Sequence, residues 1–263
     1  MKVLVSTISY VNTFPGKEES ELYLTFANRL ANDVKTKTPF DIRINTNRKD
    51  FFEEDKRLSV KGDFLKDHYT HVGVFNQLLK FSALQQVDKK YDWVLYLDCD
   101  AGFTDNIDVD LVFEYINSLN QKNIEMVACR TDCTYESCLE EYNMSTKNGT
   151  DFTYVDSPSK LFNNKFQFYG VRDEWSGAKF PSEHFLLIKN TSKLQKMADH
   201  FEALCYEFET QDKNYPITWD MEAFEIGVAA RLAGIDMQSI CGEFYNHNLK
   251  IGFNFNNFEN VKI

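Results

Sequence analysis

No apolar run in the chain approaches the ~20 residues that a membrane-crossing helix needs, so no transmembrane segment is expected. Basic residues are in deficit, with 29 Lys and Arg against 40 Asp and Glu and a formal net charge of −11. That balance argues against broad, non-specific nucleic-acid binding, although a local basic groove is compatible with it. The opening "MKVLVSTISY" is too short and too quickly polar for a signal peptide, and the chain reads as cytoplasmic. The six cysteines lack paired spacing, and Cys129, Cys133 and Cys138 do not form a zinc knuckle. Outside a secretory setting they are expected to be reduced thiols, and the sequons at Asn143, Asn148 and Asn190 carry no meaning. Histidine is scarce, at positions 68, 71, 184, 200 and 247. No internal repeat and no linker is visible.

What remains is a chain of 263 residues with 23 Phe and 13 Tyr, ample material for one large α/β domain or two small ones. "KVLVSTISY" reads as a buried first strand whose apolar run ends in hydroxyls. In "EESELYLTFANRLANDVK", Leu22, Phe26, Leu30 and Val34 fall four apart, which predicts one side of a helix. "FDIRINTN" follows as a strand, and residues 48 to 70 read as a charged, irregular loop. "HVGVFNQLLKFSALQQVDKK" predicts an amphipathic helix leading into the strand "DWVLYLDCD". Then come a helix in "DVDLVFEYINSLN", a strand in "IEMVACR" and a polar stretch over 132 to 182. "EHFLLIKN" is a strand, and the next helix is capped by Thr191 or Asn190. In "WDMEAFEIGVAARLAG", Phe224, Val228 and Leu232 share a helical face and Gly234 is the natural stop. "IDMQSI" is the last strand. This alternation predicts a mostly parallel sheet covered on both faces.

The segment "YDWVLYLDCDAGF" contains the chemistry. Strand side chains alternate, so Asp98 and Asp100 point one way and Cys99 the other. In an open α/β sheet, ligands gather beyond the carboxyl ends of the strands. Two same-side carboxylates there repel each other unless a cation lies between them. Mg²⁺ and Mn²⁺ favour oxygen ligands, one or two carboxylates plus substrate phosphates. The pair therefore reads as a clamp for a metal–diphosphate. The bland alternative is a solvated turn, since "DAGFTDN" has turn character.

Residues 3–10, "VLVSTISY", and 80–100, "KFSALQQVDKKYDWVLYLDCD", resemble the nucleotide-sugar half of a GT-A glycosyltransferase. The resemblance implies a single GT-A-like, Rossmann-like domain, with residues 1–130 as the nucleotide-sugar half and 131–263 as the acceptor half. It implies a UDP- or GDP-linked sugar donor whose diphosphate is bridged by Mn²⁺ (or Mg²⁺). Asp98 would face the donor sugar or ribose and Asp100 would ligate the metal. Thr7 and Ser9 would lie beside the nucleobase and ribose, and Lys80 takes the place of the family's helix lysine. The third ligand implied is a late histidine, His247 in "FYNHNLKIG", followed by Lys250 as a cation that meets departing phosphate charge. Imidazole ligation would favour Mn²⁺.

Sugar transfer also needs a group near the anomeric carbon, and in an inverting enzyme that group is a carboxylate that takes the acceptor's proton. Asp220 and Glu222 in "ITWDMEAFEIG", beside Trp219, are the catalytic candidates, with Asp173 and Glu174 as weaker rivals. Acids in a first helical turn also simply suit the helix dipole. The acceptor is expected to be a glycan, ahead of a protein or a modified nucleic-acid base. Two rivals stand beside this reading. One is a haloacid-dehalogenase-like phosphatase, whose Asp-X-Asp normally lies near the N-terminus and continues with Gly-Thr. The other is a non-catalytic nucleotide-sugar-binding protein.

Overall fold

The computed structural model describes residues 1–11, 21–62, 76–103, 107–128, 133–134, 179–181, 185–211 and 221–240. The first strand, β1 (Val3–Ile8), is buried along its whole length, as expected of an apolar run inside a parallel sheet. It is followed by α1 (Leu22–Lys37), β2 (Asp41–Asn45), a 3₁₀ turn at Lys49–Phe51 and β3 (Leu58–Lys61). A longer 3₁₀ segment, Asn76–Ala83, leads to β4 (Trp93–Leu97). After it come α2 (Val109–Gln121), β5 (Met126–Ala128), β6 (Cys133–Thr134), β7 (Lys179–Phe180) and β8 (Phe185–Lys189). The last described elements are α3 (Ser192–Gln211), α4 (Met221–Leu232) and β9 (Met237–Ser239).

Seven strands form one sheet in the order β3-β2-β1-β4-β8-β5-β9, and β6 pairs with β7 in a small ribbon. The pairs of β1 with β2 and β4, of β2 with β3, and of β5 with β9 are parallel. β8 runs antiparallel between β4 and β5, so the sheet is mixed, though mostly parallel. An all-apolar strand such as "FLLIK" signals burial on both faces but says nothing about direction.

Helices cover both faces. α1 and α2 pack on one side, where Leu24, Leu30, Val34, Ile116 and Leu119 meet Val5, Trp93 and Leu95. The 3₁₀ segment, α3 and α4 cover the other, where Phe81, Phe201 and Ile226 meet Ile8, Val94 and Tyr96. No helix among the described residues is long and apolar enough to cross a membrane.

Four local expectations are corrected. Leu22 is exposed, and α1 instead buries Leu24, Phe26, Ala27, Leu30, Ala31 and Val34. A row spaced strictly by four drifts by about 40° per step on a helix of 3.6 residues per turn, so three steps carry it off the buried face. The same drift exposes Leu232 in α4, while Val228 stays buried. The loop expected over 48 to 70 contains β3, an edge strand with Leu58 and Val60 inward. The described part of the helix expected before β4 is a 3₁₀ segment, and side chains from β1 and β2 anchor its end: Ser6 Oγ donates to Ala83 O at 2.7 Å and Arg43 Nη2 at 2.6 Å.

Two helix ends follow the expected chemistry. The Thr191 hydroxyl accepts from Lys193 N–H at 3.2 Å at the start of α3. Gly234 takes φ +71° after α4, and Ile235 N–H reaches back to Ala230 O at 2.9 Å.

Candidate functional site

The chain runs outward from β1 through β2 to β3, then crosses to the opposite side of β1 to form β4. The carboxyl ends of β1 and β4 therefore flank the point where the strand order reverses, the usual position of a ligand crevice in an open α/β sheet. Asp98, Cys99 and Asp100 follow directly on β4 at that point. Ala101 N–H closes a turn on Asp98 O at 2.9 Å.

Asp98 sits in a built environment. Its Oδ1 accepts the Tyr96 hydroxyl at 2.6 Å and lies 3.1 Å from Lys80 Nζ. The Lys80 side chain is 6% exposed and the Asp98 side chain 20%. Lys80 Nζ also stands 5.8 Å from the centre of the Tyr96 ring, within cation–π range. Tyr96 precedes Asp98 by two residues, so strand alternation places both on the face covered by the 3₁₀ segment, from which Lys80 reaches in. An ion pair this deep is worth keeping only when further hydrogen bonds satisfy its oxygens, and the Tyr96 hydroxyl supplies one.

The same face holds a polar cluster. Arg43 of β2, 4% exposed, donates to Ala83 O, to Gln85 O at 3.0 Å and to Ser6 Oγ at 3.3 Å. The Tyr10 and Ser82 hydroxyls pair at 3.0 Å. Burial pushes the Tyr10 phenol up to about 12, against the opposing pull of Ser82 and Arg43. These contacts fix the segment that carries Lys80.

Asp100 is half-buried, and its main-chain carbonyl accepts Arg29 Nη2 at 2.8 Å. Cys99 faces the α1 side, and burial raises its thiol well above the usual value, with Asp100 and Asp98 adding to the effect and Lys80 opposing it. Cys99 thus stays protonated, leaving the two flanking carboxylates as the hard donors of the turn.

The structure brings Lys80 and Asp98 into contact, with Asp100 in the same turn. Thr7 and Ser9 are buried at the carboxyl end of β1, and neither hydroxyl oxygen has a hydrogen-bond partner among the described residues. Thr7 lies on the α1 face of β1, opposite Ser6, so it does not join the Lys80–Asp98 cluster. Asn45 of β2 donates to Thr7 O at 3.0 Å and is fully buried. Asp220, His247, Lys250, Asp173 and Glu174 lie outside the described residues, and Glu222 is placed in α4 by its backbone alone. Among the described residues no third His, Cys, Asp or Glu joins the two aspartates.

Three residues at or near this cluster were missed in the sequence. Tyr96 was legible, because residues two apart on a strand share a face. Arg29 and Arg43 act on main-chain carbonyls distant in sequence, and nothing in a linear pattern marks that. No protein-family model matches the chain, and no curated protein is significantly similar to it in sequence.

Proposed function

We propose that the chain is a metal-dependent glycosyltransferase of the GT-A kind, acting in the cytoplasm. It moves a sugar from a UDP- or GDP-linked donor to an acceptor hydroxyl, with a glycan as the favoured acceptor. The observation that carries this reading is the pair Asp98 and Asp100 at the strand-order reversal, with Asp98 held by the buried ammonium of Lys80. Such a site matches the general location of nucleotide ligands in open α/β sheets.

The donor set fits a hard divalent cation: two carboxylates one residue apart, beside a protonated thiol that does not compete. In this reading Asp100 ligates the metal, and Asp98, whose Oδ1 is engaged by Lys80 and Tyr96, faces the sugar or ribose. Bound there, Mn²⁺ or Mg²⁺ would neutralise the diphosphate and ease departure of the nucleotide. Lys80 contributes a second positive charge in a water-poor setting, where it acts more strongly than in bulk. Thr7 and Ser9 offer buried hydroxyls with unused hydrogen-bonding capacity at the end of β1, suited to the nucleoside. In this reading His247 completes the metal site, Lys250 meets the leaving phosphates, and Asp220 or Glu222 serves the acceptor.

The test is product release. Purified protein incubated with UDP- and GDP-sugars is expected to liberate the nucleoside diphosphate only when Mn²⁺ or Mg²⁺ is present, and Asp100→Ala is expected to abolish release. Cleavage of a simple phosphomonoester without diphosphate release would point instead to a phosphatase. Tight donor binding with no release under any acceptor would point to a binding protein.

A further inference from the structure

Helix α1 presents three half-buried polar residues at successive four-residue steps, Arg29, Asp33 and Lys37. All three meet one short stretch of chain, the four residues from Asp100 to Phe103. Arg29 Nη2 donates to Asp100 O at 2.8 Å, and Lys37 Nζ donates to Phe103 O at 2.8 Å. Between them Asp33 faces Gly102, where an added Cβ would stand 2.8 Å from Asp33 Oδ2. Asp33 is itself held by Lys37 at 3.1 Å. An alanine at Gly102 would have to push the Asp33 carboxylate aside, away from its Lys37 partner. Arg29 also rests on the Phe26 ring, 5.5 Å from its centre, which limits its swing.

We infer that this row of α1 is the positioning device of the Asp98–Asp100 turn, setting how tightly the turn holds a divalent cation. Arg29, Asp33 and Lys37 are positioning residues, since their contacts go to the backbone of the turn and to each other. Two cationic donors, one on the carbonyl of Asp100 and one on that of Phe103, hold the main chain at both ends of the stretch. A fixed backbone leaves the Asp100 carboxylate a narrow range of orientations, and holding ligands in place raises metal affinity. A turn held only by its own Ala101 N–H to Asp98 O bond would lose that restriction. The inference rests on the proposed metal–diphosphate reading and extends it to a helix with no residue among the predicted ligands.

The experiment measures Mn²⁺ affinity by the electron paramagnetic resonance of free Mn²⁺, with UDP as co-ligand, in the wild type and five variants. Arg29→Ala and Gly102→Ala are each expected to weaken Mn²⁺ binding by about 10- to 100-fold, the range usual for groups that orient ligands. Arg29→Lys, which keeps one donor, should fall between Arg29→Ala and wild type. Lys35→Ala, which breaks the Lys35–Asp55 pair elsewhere on the same helix, should bind Mn²⁺ as wild type does. Should Arg29→Ala fail to fold, Gly102→Ala decides the matter. Adding Asp33→Ala to Gly102→Ala removes the clashing carboxylate and should recover the part of the affinity that the clash removed, a response that general destabilisation does not give. If wild type binds Mn²⁺ with UDP and both Arg29→Ala and Gly102→Ala bind equally well, the positioning inference is overturned and the metal reading stands. If wild type itself shows no binding, the metal reading fails and the inference falls with it.

Discussion

Arg43 occupies the middle of β2, flanked by Ile42 and Ile44, with only 4% of its surface exposed. Burial works against its charge and lowers the guanidinium to about 10, while Tyr10 and Tyr91 pull it back up. It still carries a proton at neutral pH and spends its donors on Ser6 Oγ and the carbonyls of Ala83 and Gln85. Arg43→Ala leaves those acceptors unpaired in the interior and opens a cavity, which predicts a loss of about 3 kcal/mol. Urea denaturation should show the midpoint falling at constant slope, and a loss below about 0.5 kcal/mol, the range of a surface change, would contradict the role. At this scale the sequence named Asp98, Asp100 and Lys80 through the alternation of "WVLYLDCD" and the family resemblance. It could not name Arg43 or Arg29, because a guanidinium bonding to carbonyls leaves no complementary charge to search for.

Among the elements, β3 is held by one residue that precedes it. Asp55 Oδ1 accepts the N–H groups of Arg57 and Leu58 at 2.7 and 2.8 Å, and Lys35 Nζ reaches Oδ2 at 2.8 Å. The Lys35 hydrogen bond, followed by those two N–H groups, pulls the Asp55 carboxyl down to about 2. An unfolded aspartate titrates near ~3.9, so the folded value is the lower one. The stabilisation is therefore present above about pH 4 and is lost as the pH falls through about 2. The gap in thermal midpoint between wild type and Asp55→Asn should close across that interval, and a gap that stays constant would contradict the assignment.

This same edge was the least legible part of the sheet. "LSVK" offers only two inward residues, too few for alternation to stand out from a charged surrounding. The longer elements announced themselves: β1, β4 and β8 by continuous apolar runs, α1 and α2 by helical periodicity. Two features had no local signal. The direction of β8 depends on how the chain returns to the sheet, and the anchoring of the 3₁₀ segment Asn76–Ala83 depends on Arg43 and Ser6, distant in sequence, bonding to its end.

Taken whole, the molecule combines an acidic balance, −11 over 263 residues, with a site proposed to take a diphosphate. Those two facts are in tension, because like charge disfavours binding. Lys80 alone is a small offset, and it is already shared with Asp98. In the proposed reading a divalent ion held at Asp100 would supply the missing positive charge, so nucleotide binding is expected to depend on metal. Strand order places the two aspartates at the reversal between β1 and β4, a usual position for a ligand in an open α/β sheet.

The most direct measurement is a thermal-shift comparison of wild type and Asp100→Ala with Mn²⁺ alone, a UDP- or GDP-sugar alone, and both together. Mass action at 100 times the dissociation constant adds about 2.7 kcal/mol, a rise of several degrees for a chain of this size. The account predicts that rise in wild type only when metal and donor are both present, and its disappearance in Asp100→Ala. A donor-induced rise that needs no metal, or one that survives in Asp100→Ala, would contradict it.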